Sequence, residues 1–241
     1  MKVKKILISG GSGEFTKYFC SICNDKDFEL FPLQKSEMDV TDISQIESAI
    51  EEINPDYFIH AGALTRPMAI HENSPDRSIL NNIIGTANVV LSCMKNNIKL
   101  IYLSTDHVYQ GEKGNYSEED PVMPVNNYAW SKLGGECSVM LYKNSCILRL
   151  AMVKNPFPHD AAIADSYKSS IFINDAAKIS LSLIDKCGTY NIGGDKMSIY
   201  NFAKKSNPSI KKIFLKDIIG VKMPTDVSMN LEKMRNILKN D

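Results

Sequence analysis

The sequence has no surplus of either charge: 28 lysines and arginines stand against 28 aspartates and glutamates. A chain so balanced has no broad basic face, and neither nucleic acid nor an anionic membrane surface is expected as its partner. It has no apolar run approaching the roughly 20 residues that cross a bilayer. Its opening passes through Ile6-Leu7-Ile8 straight into a glycine turn, too short an apolar stretch for an export signal. A cytoplasmic location is the expectation. Cysteine is sparse and scattered. Of the six, only Cys20 and Cys23 stand at C-x-x-C spacing, no second pair follows, and His107 and His159 lie far off without a ligand-like pattern. No metal site is expected; two small buried residues on a first helix, in a reducing compartment, is the plainer reading. Internal repeats and low-complexity tracts are also absent.

What is present is enough for a full core. At 241 residues, with 44% apolar and 23% charged side chains, the chain is of a size for one large domain or a domain plus a small lobe. β-rich runs at 3–9, 28–33, 57–61, 99–104 and 146–151 alternate with amphipathic stretches near 14–24, 43–53, 76–96 and 127–143. This repetition predicts an α/β fold, a doubly wound parallel sheet covered by helices on both faces, with ligands at the carboxyl ends of its strands. Residues 152–170 hold two prolines and no period and read as a loop. Beyond them, helices are predicted over 174–186, 198–205 and 230–239, and strands over 189–192 and 211–215, as a small lobe over the mouth of the sheet.

Two local patterns carry chemistry. The first follows strand one: Gly10-Gly11-Ser12-Gly13-Glu14-Phe15-Thr16. Glycines at the tight turn and at the point of backbone approach let a diphosphate sit on the helix N-terminus, so Gly10, Ser12, Gly13, Glu14 and Phe15 are candidate cofactor-binding residues. Thr16 stands where a third glycine usually eases helix–strand packing, and is expected to push the helix slightly outward. An ordinary glycine turn is the competing reading; the position at the head of a β-α-β unit favours a dinucleotide. After strand two the chain runs Leu33-Gln34-Lys35-Ser36, with no acid before Glu37. An acid there would bind a ribose 2′-hydroxyl and a cation a 2′-phosphate, so Lys35 tilts the expectation toward NADP(H) over NAD(H). The second pattern is Tyr128-Ala129-Trp130-Ser131-Lys132. On a helix, residues four apart share a face, and an ammonium beside a phenol favours the phenolate.

Several stretches together resemble the extended short-chain dehydrogenase/reductases, and within them the dTDP-4-dehydrorhamnose reductase family. They are Met38-Asp39-Val40-Thr41-Asp42, Pro55 to Thr65, Asn82-x-x-Gly85-Thr86-x-Asn88, Leu103-Ser104-Thr105-Asp106-His107-Val108-Tyr109-Gln110-Gly111, and Tyr116-x-Glu118 with Pro124-x-Asn126-x-Tyr128-x-x-Ser131-Lys132-Leu133-x-Gly135-Glu136. The fourth is similar to a family pattern with tyrosine where this chain has His107. The likeness runs from residue 5 to about 153. Beyond it, Asp165 to Ala177 aligns with Asp-Gln-x-Gly-x-Pro-Thr-x-Val-x-Asp-x-Ala but departs at Ser166, Lys168, Ser170 and Ile171. Met152 replaces an aromatic, Met223 an arginine, and the stretch between Val153 and Asp165 is shorter than family members have.

The resemblance implies a Rossmann-type domain over 1–153, ending in the catalytic helix. A mixed segment over 154–241 would return partly to that core and partly form a reduced, shortened substrate lobe. It implies reduction of a nucleotide-linked 4-keto-6-deoxy sugar by NAD(P)H, with Thr105 polarising the substrate oxygen and Tyr128 giving the proton. Lys132 would lower the Tyr128 pKa and hold the nicotinamide ribose. Asp39 and Val40 would meet the adenine, Ala61, Gly62 and Ala63 would let the cofactor lie close, and Ser104 would assist Thr105. Arg66 is a candidate for a phosphate or carboxylate, with a surface ion pair as its commoner use. The alternative is a cofactor-binding subunit without turnover, resembling the regulatory beta subunit of methionine adenosyltransferase. A homodimer, or a partner chain completing the pocket, is compatible with the shortened lobe.

Overall fold

The computed structural model of the chain describes residues 3–23 and 27–239. Strand β1 (Lys4–Ser9) turns Ile6 and Ile8 into one apolar cluster and Leu7 into another, all fully buried. A strand buried on both faces needs cover on both sides. On one side helix α1 (Glu14–Ile22) supplies Phe15 and Phe19. After β2 (Phe28–Leu33), helix α2 (Ile43–Ile53) covers the other side with Ile46, Ala49, Ile50 and Ile53. Asp42 starts α2, its carboxylate accepting from the Ser44 N–H at 3.0 Å.

The chain then crosses to β3 (Tyr57–His60) on the far flank of β1, and continues through helix α3 (Gly85–Asn96), β4 (Lys99–Thr105), helix α4 (Asn127–Met140) and β5 (Ser145–Leu150). Helix α5 (Ile173–Ser182) packs beside α1, and β6 (Gly188–Ile192) joins the sheet next to β5. The six strands run parallel in the order β2-β1-β3-β4-β5-β6. Strand order reverses between β1 and β3, the crevice where ligands of such sheets bind. This is the doubly wound Rossmann-type α/β fold that the alternating pattern predicts.

Several expected elements end a few residues early, among them the helices over 127–143 and 174–186, which stop at Met140 and Ser182, and three expectations change more deeply. The helix expected over 76–96 is broken: Pro75–Ser78 is one short turn, Ile79–Ile84 is a π-helical stretch, and only then does α3 begin. The Thr86 hydroxyl donates to the Asn82 carbonyl at 2.7 Å, holding the widened turn. The loop expected over 152–170 contains paired strands: Met152–Val153 with Ile171–Phe172, Ala161–Ile163 with Lys211–Ile213, and Tyr167–Lys168 with Met197–Ser198. Each partner is distant in sequence, so no local period marks them. The last helix, α6 (Glu232–Leu238), starts two residues later than expected because the Asn230 side chain caps the turn, accepting from the Glu232 N–H at 2.9 Å. Residue 24, placed by the sequence in the first helix, lies outside the described residues. Among the described residues no helix is long and apolar enough to cross a membrane.

Candidate active site

The glycine turn closes tightly on its neighbours. Gly10 has φ +77°, and a Cβ there would stand 2.8 Å from the Gly62 nitrogen. A Cβ on Gly11 would stand 2.3 Å from the Pro32 carbonyl oxygen, which the bond from the Gly11 N–H to the Leu33 carbonyl (2.8 Å) makes unavoidable. Thr16 is buried at the junction of the turn and α1. Its buried hydroxyl donates to the Gly10 carbonyl at 3.0 Å and ties the helix to the turn.

Beside this turn lies a cavity of about 520 Å³ over the β1/β3 crevice. Of the candidate cofactor residues, Gly10, Ser12, Lys35, Asp39, Val40, Gly62 and Ala63 line it. Glu14, Phe15 and Ala61 turn their side chains elsewhere. Glu14 pairs with Lys154, Phe15 is buried and stacks on Phe19 with centroids 5.9 Å apart, and Ala61 packs on the core. Glu14 and Phe15 keep their backbone N–H groups in the first turn of α1, where helical amides lack intrahelical partners. The cavity also takes in Arg77 and Asn81, which no sequence signal marked. The Lys35 ammonium donates to the Asn81 side chain at 3.2 Å and pairs with Asp39 at 3.4 Å. Burial works to raise the Asp39 pKa, but hydrogen bonds from Thr41 and the Lys35 charge outweigh it and leave the carboxyl below its ordinary value. A glycine cradle that a side chain would fill, a helix N-terminus and two cations fit an anionic dinucleotide.

Thr105, at the end of β4, has one hydroxyl proton and two lone pairs. The proton goes to Asp106 Oδ1 at 3.2 Å, and one lone pair accepts from the His107 N–H at 3.3 Å. The hydroxyl is also close enough to the Tyr128 phenol to lower its pKa. Tyr128 sits in the first turn of α4, which Asn126 caps by accepting from the Ala129 N–H at 3.0 Å. The rings of His71 and His107 flank it, with centroids at 5.1 and 6.5 Å.

The electrostatics differ from the expectation drawn from Tyr-x-x-x-Lys. Burial, joined by the Asp106 carboxylate, pushes the Tyr128 phenol up to about 12; the Thr105 hydroxyl and the Arg66 charge pull the other way, and Lys132 is not among the charges acting on it. The Lys132 ammonium lies instead over the Tyr102 ring, 4.2 Å from its centroid. Burial pushes its pKa down to about 7 against an opposing pull from Glu136. The correction has a simple cause: desolvation disfavours both charged forms and outweighs a pairing that the two side chains do not make. Ser104 does not join Thr105. Its hydroxyl donates to Glu136 at 2.6 Å, and Glu136 in turn pairs with Arg149 at 2.6 Å.

Asn82 stands in a motif visible in the sequence, but nothing in that motif marks what its side chain does. Its side chain accepts from the Leu64 N–H (2.8 Å) and donates to the Leu64 carbonyl (2.9 Å) and the Ser131 hydroxyl (2.8 Å), clamping the loop after β3 to α4.

Residues 4–161 match the family described as RmlD substrate binding domain. The chain belongs to that family. A dTDP-4-dehydrorhamnose reductase of Aggregatibacter actinomycetemcomitans is 26% identical over 227 residues, spanning 83% of this chain and 76% of that protein. The beta subunit of methionine adenosyltransferase 2 from Pongo abelii is 22% identical over 236 residues, covering 83% of this chain and 70% of its own. Among solved structures, the dTDP-4-dehydrorhamnose reductase of Bacillus anthracis in complex with NADP superimposes with a TM-score of 0.89 at 24% identity. That match covers 98% of this chain and 92% of that one. As a member of the RmlD family, the chain has its glycine turn, its Thr105 strand end and its Tyr128 helix within the matched segment, whereas Lys168 and Met223 fall outside it.

Proposed function

We propose that the chain is an NADPH-dependent reductase of a nucleotide-linked 4-keto-6-deoxy sugar, acting in the cytoplasm, with Tyr128 as proton donor. The observation that carries this reading is the meeting of Tyr128 with Thr105 at the carboxyl end of β4, with Lys132 one helical turn further along α4. Family membership and the names of the relatives support the substrate class. In this reading residues 1–153 hold the cofactor and the catalytic helix, while 154–241 return in part to the sheet and in part cover its mouth.

The cofactor, when bound, supplies the hydride that reaches the carbonyl carbon. The protein's own part is to orient and to move a proton. Gly10, Gly13 and the first amides of α1 receive the diphosphate, Asp39 and Val40 the adenosine end, and Lys35 with Arg77 a 2′-phosphate. Thr105 turns its hydroxyl from Asp106 to the substrate oxygen. Tyr128 gives its proton to that oxygen as negative charge develops there. A neighbouring cation or a polar bound ligand counters the desolvation that holds the phenol proton so firmly, and Lys132 is the nearest lysine on the helix to serve.

Tyr128→Phe should abolish NADPH oxidation with dTDP-4-dehydrorhamnose while cofactor binding, followed by fluorescence, persists. Retained turnover in that variant removes the mechanism. A second reading, an NADP-binding regulatory subunit without turnover, draws support from the methionine adenosyltransferase relative and from Met152, Met223 and the short stretch between Val153 and Asp165. Tight cofactor binding with no turnover across dTDP-, UDP- and GDP-linked keto sugars would favour it.

A further inference from the structure

Two positions at which this chain departs from the family pattern meet in space. His107 stands in place of a tyrosine and Lys168 in place of a glycine, and the Lys168 ammonium lies 3.0 Å from His107 Nε2 and 3.0 Å from Asp106 Oδ2. The cluster is almost dry: the side chains of Lys168, His107 and Asp106 are 14%, 10% and 1% exposed. Lys168 is also held firmly from behind. Tyr167 and Lys168 pair with Ser198 and Met197, the Tyr167 N–H donates to the Thr225 carbonyl at 2.8 Å, and the Ser166 hydroxyl donates to the Pro224 carbonyl at 2.7 Å.

An ammonium only donates, so His107 Nε2 is an acceptor and the imidazole proton sits on Nδ1. A second proton on Nε2 would face the ammonium directly. Asp106 is the acceptor for Thr105, and Asp106, Thr105 and the His107 ring all act on or face Tyr128, so the cluster stands directly behind the proposed proton donor. We propose that Lys168 is a positioning residue of the proton-donor site: it gives Asp106 its counter-charge and occupies the Nε2 lone pair of His107. The imidazole is thereby locked in its neutral Nδ1–H form, and the charge behind Tyr128 stays constant across the neutral pH range. Without Lys168, Asp106 loses this counter-charge, and the imidazole 4.0 Å from it is placed to take up a proton in its stead.

The other groups around the cluster fit this assignment. The titratable groups facing His107 are Lys168, Asp106 and the edge of Tyr128; burial, then the Lys168 charge, lowers its pKa to about 4. Tyr128 is faced in addition by His71 and Arg66, which remain in any variant of Lys168. His107 Nδ1 is buried with no hydrogen-bond partner among the described residues, which makes this tautomer unfavourable unless Nε2 is engaged.

The role in catalysis rests on the reductase reading; the lock itself does not. Nitrogen-15 NMR of histidine-labelled protein, with His107 assigned through His107→Gln, reads it directly. In the unaltered protein His107 should show the Nδ1–H tautomer and no titration from pH 5 to 8. In Lys168→Met it should lose that tautomer and titrate within about pH 5–8, and Lys168→Arg should keep the unaltered behaviour. A neutral Nε2–H imidazole in the unaltered protein overturns the proposal, and so does an unchanged His107 in Lys168→Met. The first of these results is obtained even if Lys168→Met does not fold. With dTDP-4-dehydrorhamnose and NADPH, kcat of Lys168→Met should acquire a new limb over the same interval, and a further His107→Gln should remove it; an unchanged profile overturns the positioning role. If the unaltered protein turns over none of the dTDP-, UDP- and GDP-linked keto sugars, the reductase reading fails while the NMR result still decides the lock.

Discussion

Tyr128 and Lys132 were legible in the sequence as residues but not as charges. Four-residue spacing places both on one face of α4, yet it says nothing of how dry that face becomes once Tyr102 and Glu136 close over it. Lys132 is only 3% exposed and its pKa falls to about 7, so it opposes folding. The sign follows from proton uptake. Below about pH 7 both folded and unfolded chains carry the proton and the full cost is present. Between there and the ordinary 10.5 the unfolded chain binds a proton that the folded one does not, and stability rises with pH. Above both values the cost is gone. Lys132→Met, which keeps an unbranched stem against the Tyr102 ring, should therefore stabilise the protein by about 2–4 kcal/mol at pH 6 and hardly at all near pH 10.5, while removing activity. Urea unfolding at the two pH values checks this; a gain independent of pH, or a loss at pH 6, would show that the ammonium is not desolvated. Lys168 and His107 were visible too, but only as departures from a pattern, since their meeting depends on a strand pairing that no local signal announces.

The elements around the site lie close because glycine lets them. Gly135 of α4 has no space for a side chain: an added Cβ would meet the Asn82 carbonyl oxygen at 2.6 Å, the Tyr102 hydroxyl at 2.7 Å and the Thr86 hydroxyl at 2.9 Å. Each of those atoms is already fixed in a hydrogen bond. At Gly134 the added Cβ would meet only the Ile83 side chain, Cδ1 at 2.8 Å and Cγ1 at 2.9 Å, which is half-exposed and can turn aside in part. Gly135→Ala should thus destabilise by about 1–3 kcal/mol and Gly134→Ala by clearly less, read as urea midpoints. Equal losses would mean that α4 shifts as a body and that the π-helical stretch does not set its position. The five strands of the first half and the order of the helices could be taken from the β-α alternation, because a short apolar run buried on both faces and an amphipathic helix each leave a local mark in the sequence. The π-helical stretch could not. It exists because the Asn82 side chain reaches Leu64 and Ser131, contacts between three separate segments. The ribbons of the second half escaped for the same reason.

At the scale of the molecule, the sheet leaves one crevice at its switch point, and the proposed cofactor would contact segments from both flanks of it: the glycine turn and Lys35 from one, Gly62, Arg77 and Asn81 from the other. A ligand that joins these segments binds the folded chain and not the unfolded one. At a hundredfold excess over its Kd it should stabilise the fold by about 2.7 kcal/mol, seen as a rise in Tm. The two cations near Asn81 give the dinucleotides different standing. Lys35 is exposed and only loosely held by Asp39 and Asn81, so it is free to turn to a 2′-phosphate, and NADPH should raise Tm more than NADH at equal concentration. Lys35→Glu places a carboxylate where that phosphate would lie and where a ribose 2′-hydroxyl would be welcomed, so it should reverse the order of the two shifts. In Arg77→Ala the preference should narrow without reversing, since a cation is lost and no anion gained. The comparison needs no sugar substrate and so tests the cofactor site independently of turnover. Equal shifts from NADPH and NADH in the unaltered protein, unchanged by Lys35→Glu, would place the adenosine end of the ligand away from Lys35 and return the choice of dinucleotide to the remaining residues of the cavity.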